Sequence, residues 1–371
     1  MMLLLSHVKT SYHVTDWSFI CIRLFIKSWL IIYINDLSEV INIKDPICKI
    51  YTFADDTKLV SMIRSAEDKI NLQHNLNMVK NWSEMNNMQL HEDKFEFLSY
   101  KLPSKAIDKR LLSELPFFHE FEVYDTSNFS LYPSSFVRDL GVFLDVNLNW
   151  SKHYHVIHKK SKRISAWILS TFYTRERKTM LTLFKSLIRP IMEYCCQVWS
   201  PHLTKDIVYL EKIQRSFTCR ISGLNDLNYW ERLEELQMRS LQRRREKLIL
   251  IFVWKIKNNV FPNTVHFDFK LQKRSNKMKA VLRPLPRVTG KLLTTYENSF
   301  IINAAKIWNC LPAHLTHVLT LSCFTSELEK FLKTIPDKPP LPGYPYTNNN
   351  SLTQQCIWWW LLITFLFLFS N

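Results

Sequence analysis

The stretch 51-YTFADDTKLV-60 places two adjacent carboxylates, Asp55 and Asp56, among residues that favour β-strand. Neighbouring carboxylates repel each other, so a bound cation would stabilise the pair. Asp is also a common turn residue, and for an isolated Asp-Asp pair a polar turn is the simpler explanation. We therefore expect a hairpin over residues 47–62 with the acids at its tip, and the rest of the sequence must decide between turn and metal site.

The elements on either side of this hairpin follow from hydrophobic spacing. An amphipathic helix is predicted over Ser65–Met88, where Ile70, Leu72, Leu76, Val79 and Trp82 mostly recur every three or four residues. Strands are predicted at 95-FEFLSY-100, 118-FHEFEVY-124 and 136-FVRDLGVFLD-145. Helices are predicted over Lys152–Tyr173, Arg177–Ile188, Lys205–Ile221 and Tyr229–Lys257. The pattern as a whole predicts an α+β chain.

Composition restricts the function. The 371 residues are 47% hydrophobic and 13% aromatic, which is typical of a globular protein. Lys and Arg number 49 against 33 acids, and the formal charge of +16 favours a polyanionic partner, either nucleic acid or an anionic membrane. Only 4 glycines are present, which excludes glycine-rich phosphate loops. The 8 cysteines form no C-x-x-C pair, so we expect a reducing intracellular setting, nucleus or cytoplasm, and not secretion.

The two ends carry no clear targeting signal. The start, 1-MMLLLSHVKT-10, has no basic region, and the next apolar run is interrupted by Arg23 and Lys27, so no signal peptide is expected. Residues 336–351 are rich in Pro and Asn and are predicted to be a linker. The apolar tail at 356–370 is shorter than the ~20 residues of a spanning helix, and we interpret it as an apolar helix rather than a membrane anchor.

A series of short motifs occurs in order along the chain. They are 33-YINDL-37, 53-FADDTKLV-60, 76-LNMVKNWSEMNNMQLHEDK-94 and 137-VRDLGVFLD-145, followed by 183-LFKSLIRPIMEYCCQVWSP-201, 210-LEKIQRSFTCRISG-223, 231-ERLEELQMRSLQRRRE-246 and 304-AAKIWNCLP-312. Together they resemble the reverse transcriptases of non-LTR (LINE-type) retrotransposons, over about residues 31–334. The resemblance implies RNA-directed DNA synthesis with an RNA template, a DNA primer or target, deoxynucleotides and Mg²⁺.

The resemblance assigns roles to the opening stretch. Phe53, Ala54, Asp55 and Asp56 would form the catalytic box of a polymerase palm, with Asp55 the principal Mg²⁺ ligand and Asp56 its assistant. Phe53 and Ala54 would lie at the nucleic acid, where the small Ala54 leaves room for the primer end. Paired carboxylates of this kind, with a third acid, can hold two metal ions for phosphoryl transfer.

Two further positions are matched by the resemblance. Lys94 would donate a proton to the leaving pyrophosphate, although His91 replaces the usual Asn before it, and an exposed surface lysine stays an equal alternative. Leu140 and Gly141 would lie in the hairpin that grips the primer strand. In that hairpin Gly141 either lets the backbone approach the substrate or relieves a bend.

Two motifs of the family are absent from the 54 residues before Asp55. These are an F-x-D-x-x-x-A-F-D segment with another metal-binding aspartate and a G-x-P-Q-G-S stretch that shapes the nucleotide pocket. Asp16 is the one acid in reach, and its neighbours match no pattern, so it is not expected to bind metal. We therefore expect the chain to be inactive as a polymerase. The alternative is a non-catalytic basic RNA- or DNA-binding protein or an expressed relic of a retrotransposon.

The predicted organisation has six segments. They are a divergent start (1–30), a partial palm of hairpin plus helix (31–100), a β connection with the primer-grip hairpin (101–150), a helical thumb (151–222), a helical carboxy-terminal region (223–335), and linker with tail (336–371). In the thumb, Lys159, Lys160, Lys162 and Arg163 lie off the apolar face and are predicted to bind nucleic-acid backbone. An ordinary solvated helix face is the open alternative.

Other polar and aromatic clusters allow two interpretations each. His153, His155 and His158 have no Cys or carboxylate at ligand spacing, so a metal site is not favoured. The run 243–245 of three arginines is as compatible with a solvated helix as with phosphate contact. Trp150, Trp167 and Phe172 are expected in the core rather than as a base-stacking platform.

Overall fold

The described part of the chain falls into two separate units. The computed structural model describes residues 2–5, 37, 48–53, 56–61, 63, 65–87, 95–100, 124–125, 130–261, 269–273, 280–284, 299–335 and 337. One unit belongs to residues 1–149 and the other to residues 150–371. The α+β class expected from the sequence is confirmed, since antiparallel strands predominate in the first unit and helices in the second. The finer division into six segments stays a prediction.

A four-stranded antiparallel sheet organises the first unit. Its strands are β1 (Met2–Leu5), β2 (Lys49–Phe53), β3 (Asp56–Val60) and, after a helix, β4 (Phe95–Leu98). The spatial order is β2-β3-β1-β4. The β2–β3 hairpin is the one predicted from the acidic stretch, with Phe53 opposite Asp56 in the register. Strand β1 was not predicted; it pairs with both β3 and β4.

Helix α1 (Ala66–Met85) covers one face of this sheet. The Ser65 side chain accepts a hydrogen bond from the Asp68 backbone, and the Asp68 carboxylate accepts one from Ser65, which forms a capping box. Leu72, Leu76, Val79 and Trp82 are buried against Leu59 and Phe97. The expected inward position of Ile70 is wrong, because it is 66% exposed on the opposite side of the helix.

Two small hairpins complete the first unit. Strand β5 (Tyr124–Asp125) pairs with β6 (Ser130–Leu131), and β7 (Phe136–Asp139) pairs with β8 (Val142–Asp145). The single strand predicted at 136–145 from residue type is wrong, whereas the resemblance placed a hairpin here. Leu140 and Gly141 form its tight turn, with φ of 43° and 88°. Positive φ at both central residues matches the twist of a two-residue hairpin, and Gly141 adopts it without strain.

Helices make up most of the second unit. They are α2 (Ser151–Thr171), α3 (Arg177–Leu183), α4 (Arg189–Glu193), α5 (Cys196–Trp199), α6 (Thr204–Thr218), α7 (Tyr229–Glu235), α8 (Leu241–Lys257), α9 (Phe300–Asn309), α10 (Ala313–Thr316) and α11 (Leu321–Thr334). A π-helical turn at Phe184–Ile188 joins α3 to α4, so helical backbone continues past the predicted end at Ile188. A hairpin of β9 (Phe269–Lys273) and β10 (Ala280–Pro284) was not predicted.

The single helix predicted over Tyr229–Lys257 is wrong, because the chain breaks between α7 and α8. Asn228 caps α7 with a capping box to Glu231, and Ser240 caps α8 by accepting from the Arg243 backbone. Gln237 between them adopts a φ of 48°. Two strong capping residues therefore start two helices where the apolar spacing alone suggested one.

One hydrophobic core of the second unit lies between α8, α9 and α11. Phe324 of α11 is fully buried and lies 5.9 Å from Trp254 and 5.8 Å from Trp308, measured between ring centroids. Leu250 and Leu328 pack into the same cluster.

The start of α8 is also tied to the segment that follows α11. The Asp337 carboxylate accepts hydrogen bonds from the Ser240 backbone at 2.7 Å and from the Ser240 hydroxyl at 2.6 Å. Apart from Asp337, the predicted linker and the tail at 356–370 lie outside the described residues. Within the described part of the chain no helix is both long and apolar enough to cross a membrane.

Candidate nucleic-acid interface

The acidic stretch is described only in part. Asp55, Ala54 and Lys94 lie outside the described residues, as does Asp16. Phe53 ends β2 with an exposed ring, and Asp56 begins β3 with a half-buried side chain. Along β3 the buried residues are Thr57 and Leu59, so Asp56 and Lys58 face away from helix α1. The roles assigned to the acidic box stay predictions.

One interaction beside this stretch was missed by sequence reasoning. Lys58 of β3 forms an ion pair with Asp139 of β7, and both side chains are largely buried. The pair ties the acidic hairpin to the β7–β8 hairpin that contains Leu140 and Gly141. Tyr100 lies nearby, and its pKa is raised to about 12, first by burial and then by Asp139 and Asp145. The only sequence signal was the alternation of β3, which places Lys58 on the same face as Asp56.

The described carboxylates do not form a metal centre by themselves. Across the described ranges no group of three His, Cys, Asp or Glu side chains could hold a metal ion. Asp56 alone cannot offset the dehydration of Mg²⁺, which needs several oxygen ligands. Mg²⁺ binding at Asp55 and Asp56 therefore stays a prediction from the resemblance.

Helix α2 presents a cationic face to solvent. Lys159, Lys160, Lys162 and Arg163 are all exposed, while Tyr154, Ile157 and Ile168 on the other side are buried. The helix contains no acidic residue. None of the four cations forms an ion pair with any part of the chain that the structure describes. Their charges are therefore available to a partner.

The three histidines of α2 do not converge on one point. His153 is buried against Trp199, with ring centroids 5.0 Å apart, and burial lowers its pKa to about 4. The other two face Tyr209 of α6: His158 stacks on its ring at 4.1 Å between centroids, and Nδ1 of His155 lies 3.3 Å from its hydroxyl. These histidines join α2 to α6.

The cationic face continues onto α6. Burial lowers the pKa of His158, and so do the positive charges of Lys162 and Lys212. Lys212 belongs to α6 and is exposed, so it adds to the charge next to α2. We call the set Lys159, Lys160, Lys162, Arg163 and Lys212 the α2–α6 surface. Sequence reasoning missed Lys212, whose place depends on the packing of two helices.

Both interpretations of the arginine run 243–245 are wrong, because each of the three side chains is either buried or paired with a carboxylate of the fold. Arg243 is buried and pairs with Glu246 at 2.8 Å. Arg244 binds both carboxylate oxygens of Glu193 on α4. Arg245 is only 1% exposed, and its guanidinium nitrogens have no hydrogen-bond partner in the described part of the chain. None of the three can serve as a surface contact to phosphate.

The expectation that the aromatic residues of this region lie in the core is wrong for Trp167. Trp150 and Phe172, at the two ends of α2, are half-buried. Trp167 is 55% exposed, and it follows Arg163 by one helical turn on the solvent side. Its neighbours Ile168 and Leu169 occupy the inner face instead.

Comparison with known proteins gives distant and partial matches. No family model matches the sequence, and no solved structure matches it. A Drosophila melanogaster protein named "Probable RNA-directed DNA polymerase from transposon X-element" is 24% identical over 176 residues, 46% of this chain and 18% of that protein. An uncharacterized Caenorhabditis elegans protein is 22% identical over 134 residues, 35% of this chain and 66% of that protein. The chain thus matches under two thirds of each relative.

Proposed function

We propose that this chain is a fragment related to the RNA-directed DNA polymerases of LINE-type retrotransposons, and that it binds nucleic acid through the α2–α6 surface without synthesising DNA. The single observation that carries the binding is the set of four exposed cations on α2, a helix without acids. The relationship is supported by the distant likeness to the transposon polymerase and by the ordered motifs of the sequence.

The charges of this surface suit a nucleic-acid backbone. Lys159 to Arg163 span about 6 Å along the helix axis, and Lys212 extends the charge onto a second helix. Cations that neutralise phosphates release condensed counterions, so the affinity falls steeply as salt rises. Such contacts depend on the number and spacing of cations and carry no base specificity. By the resemblance, the partner is an RNA template paired with a DNA primer or target.

The resemblance assigns residues to DNA synthesis, but two motifs that the reaction needs are missing from this sequence. In the resemblance, Asp55 and Asp56 bind Mg²⁺, Lys94 protonates the leaving pyrophosphate, and Phe53, Ala54, Leu140 and Gly141 lie along the primer. When bound, Mg²⁺ would supply charge stabilisation for phosphoryl transfer. The 371 residues contain neither the further aspartate segment nor the G-x-P-Q-G-S stretch of the family. We therefore propose that the chain binds nucleic acid without polymerising DNA. The alternative, a non-catalytic RNA- or DNA-binding protein, has the same activity and differs only in not descending from a polymerase.

The test is a salt titration with the full 371-residue protein. Binding of a fluorescent RNA·DNA hybrid is measured by anisotropy from low to moderate salt. We expect simultaneous Glu substitution of Lys159, Lys160, Lys162 and Arg163 to weaken binding. The slope of log affinity against log salt should flatten by about 0.7 to 0.9 for each phosphate that the variant no longer neutralises.

A matched control separates this surface from net charge. Lys178, Lys185, Lys306 and Lys333 are also exposed, and their replacement by Glu changes the net charge of the protein by the same amount. We expect this control to bind with nearly the wild-type slope. Equal weakening in both variants, with unchanged circular dichroism, would show that overall charge rather than the α2–α6 surface attracts the nucleic acid.

A further inference from the structure

Trp167 is a large apolar side chain placed among cations. It lies seven residues after Lys160 and four after Arg163, so all three occupy one side of α2. The indole is 55% exposed. Across the described residues no aromatic ring or cation covers it.

The surroundings of the indole limit what can cover it. The indole shares its side of α2, a helix without acidic residues, with Lys160 and Arg163, and these cations repel a basic partner and attract a polyanion. The flat faces of nucleobases stack on indole rings, and stacking of this kind tolerates any base. A polyanion with accessible base faces therefore satisfies both the charge of the rim and the apolar ring.

We propose that Trp167 is a stacking platform for an unpaired base, so that the α2–α6 surface prefers single-stranded nucleic acid. Lys160 and Arg163 would hold the phosphates next to the stacked base. In a duplex the base faces are covered by their neighbours, so Trp167 contributes little to duplex binding away from the ends. This inference rests on the proposed nucleic-acid binding and names the form of nucleic acid that the surface selects.

The experiment compares Trp167→Ala and Trp167→Phe in the full chain. Anisotropy is measured with a labelled single-stranded 12-mer and with a duplex closed at both ends by non-nucleotide linkers, which has no unpaired base. We expect Trp167→Ala to weaken single-strand binding about 5- to 150-fold, the equivalent of one stacked base. Duplex binding and its salt slope should stay unchanged, and Trp167→Phe should retain most of the affinity because a phenyl ring also stacks.

Tyr132→Ala is the matched control, because Tyr132 is a similarly exposed aromatic residue in the other unit. It should bind both ligands as the wild type does. A second readout is the emission of Trp167 itself: single-strand binding should quench wild-type fluorescence more than that of Trp167→Phe.

The outcomes distinguish the stacking role of Trp167 from the proposed nucleic-acid binding on which it rests. If neither ligand binds, the proposed function is wrong and the inference fails with it. If both ligands bind with steep salt dependence but Trp167→Ala changes neither, nucleic-acid binding stands and the stacking platform is wrong. Equal weakening of single strand and duplex would also overturn the inference, because stacking on an unpaired base cannot act on a closed duplex.

Discussion

The two compact units of the chain differ in the features that they contain. The unit of residues 1–149 contains the acidic box, and in its described part helix α1 packs on a small sheet. The unit of residues 150–371 contains the α2–α6 surface and a core built from aromatic residues of three helices. The motifs that suggest chemistry and the cations that suggest binding therefore belong to different compact units. A substitution in the acidic box therefore need not weaken binding by the α2–α6 surface.

The largest effect on the free energy of unfolding is expected from truncating a core side chain of the second unit. Phe324→Ala removes a fully buried ring between Trp254 and Trp308, and such changes cost about 3–5 kcal/mol of unfolding free energy. Phe97→Ala makes the equivalent change in the first unit, where Phe97 is 1% exposed. Chemical denaturation followed by circular dichroism should show each variant shifting a different transition.

The exposed Leu319 provides the control for these core variants. Leu319→Ala should change the unfolding free energy by no more than about 0.5 kcal/mol. A single shared transition that both Phe variants shift equally would contradict this expectation, because it would show that the two units unfold together.

A smaller, pH-dependent effect is expected from Glu211 in the second unit. This residue of α6 is fully buried, and its carboxylate accepts hydrogen bonds from the Tyr229 hydroxyl and, at 3.1 Å, from the Leu241 backbone. Burial raises the pKa of Glu211 to about 7, against the lowering effects of Tyr229, Arg245 and the Leu241 backbone.

The sign of the effect follows from proton binding. Above pH 4.5 the unfolded chain has released the Glu211 proton, while the folded chain keeps it up to about pH 7. The contribution of Glu211 to the free energy of unfolding is complete below pH 4.5. It is lost as the pH rises through 7, and the free energy falls by up to about 1.4 kcal/mol per pH unit. Glu211→Gln should remove this dependence in denaturation curves measured from pH 5 to 8, whereas Glu234→Gln, at an exposed site, should keep it. Parallel pH profiles of wild type and Glu211→Gln would contradict the assignment.

The smallest effect is expected from the acidic box. Asp55→Ala should change neither nucleic-acid affinity nor primer extension, because the 371-residue chain should show no extension to lose. The measurement supplies primer, template, Mg²⁺ and deoxynucleotides to wild type and variant side by side. If the wild type extends the primer and Asp55→Ala does not, the expectation of an inactive chain is wrong. Asp16 would then be the next residue to substitute.

Local signals in the sequence predicted local structure well. The β2–β3 hairpin follows from the strand-favouring residues around the acidic pair, and helix α1 follows from a capping Ser65 and regular apolar spacing. Helix α2 was predicted to within two residues at each end for the same reason. The exposure of its four cations followed from their place off the apolar face.

Features that depend on distant partners could not be predicted. Strand β1 pairs with residues that lie more than 50 positions away, and its short apolar sequence, MLLL, does not identify them. The pairing of Arg244 requires Glu193, which is 51 residues away in the chain. Trp167 shows the opposite error, because an aromatic residue in an amphipathic helix was assigned to the core although Ile168 and Leu169 fill the inner face.

The bond between Ser240 and Asp337 has a consequence for the timing of folding during synthesis. The two residues are 97 positions apart, and Asp337 binds the backbone N–H and hydroxyl at the start of α8. At the roughly 5–20 residues per second of translation, those 97 positions take on the order of 5–20 s to synthesise. During that interval the first turn of α8 has been synthesised but lacks the Asp337 carboxylate as a hydrogen-bond partner. The side-chain cap that Asp337 supplies to the start of α8 can therefore form only after Asp337 has been made.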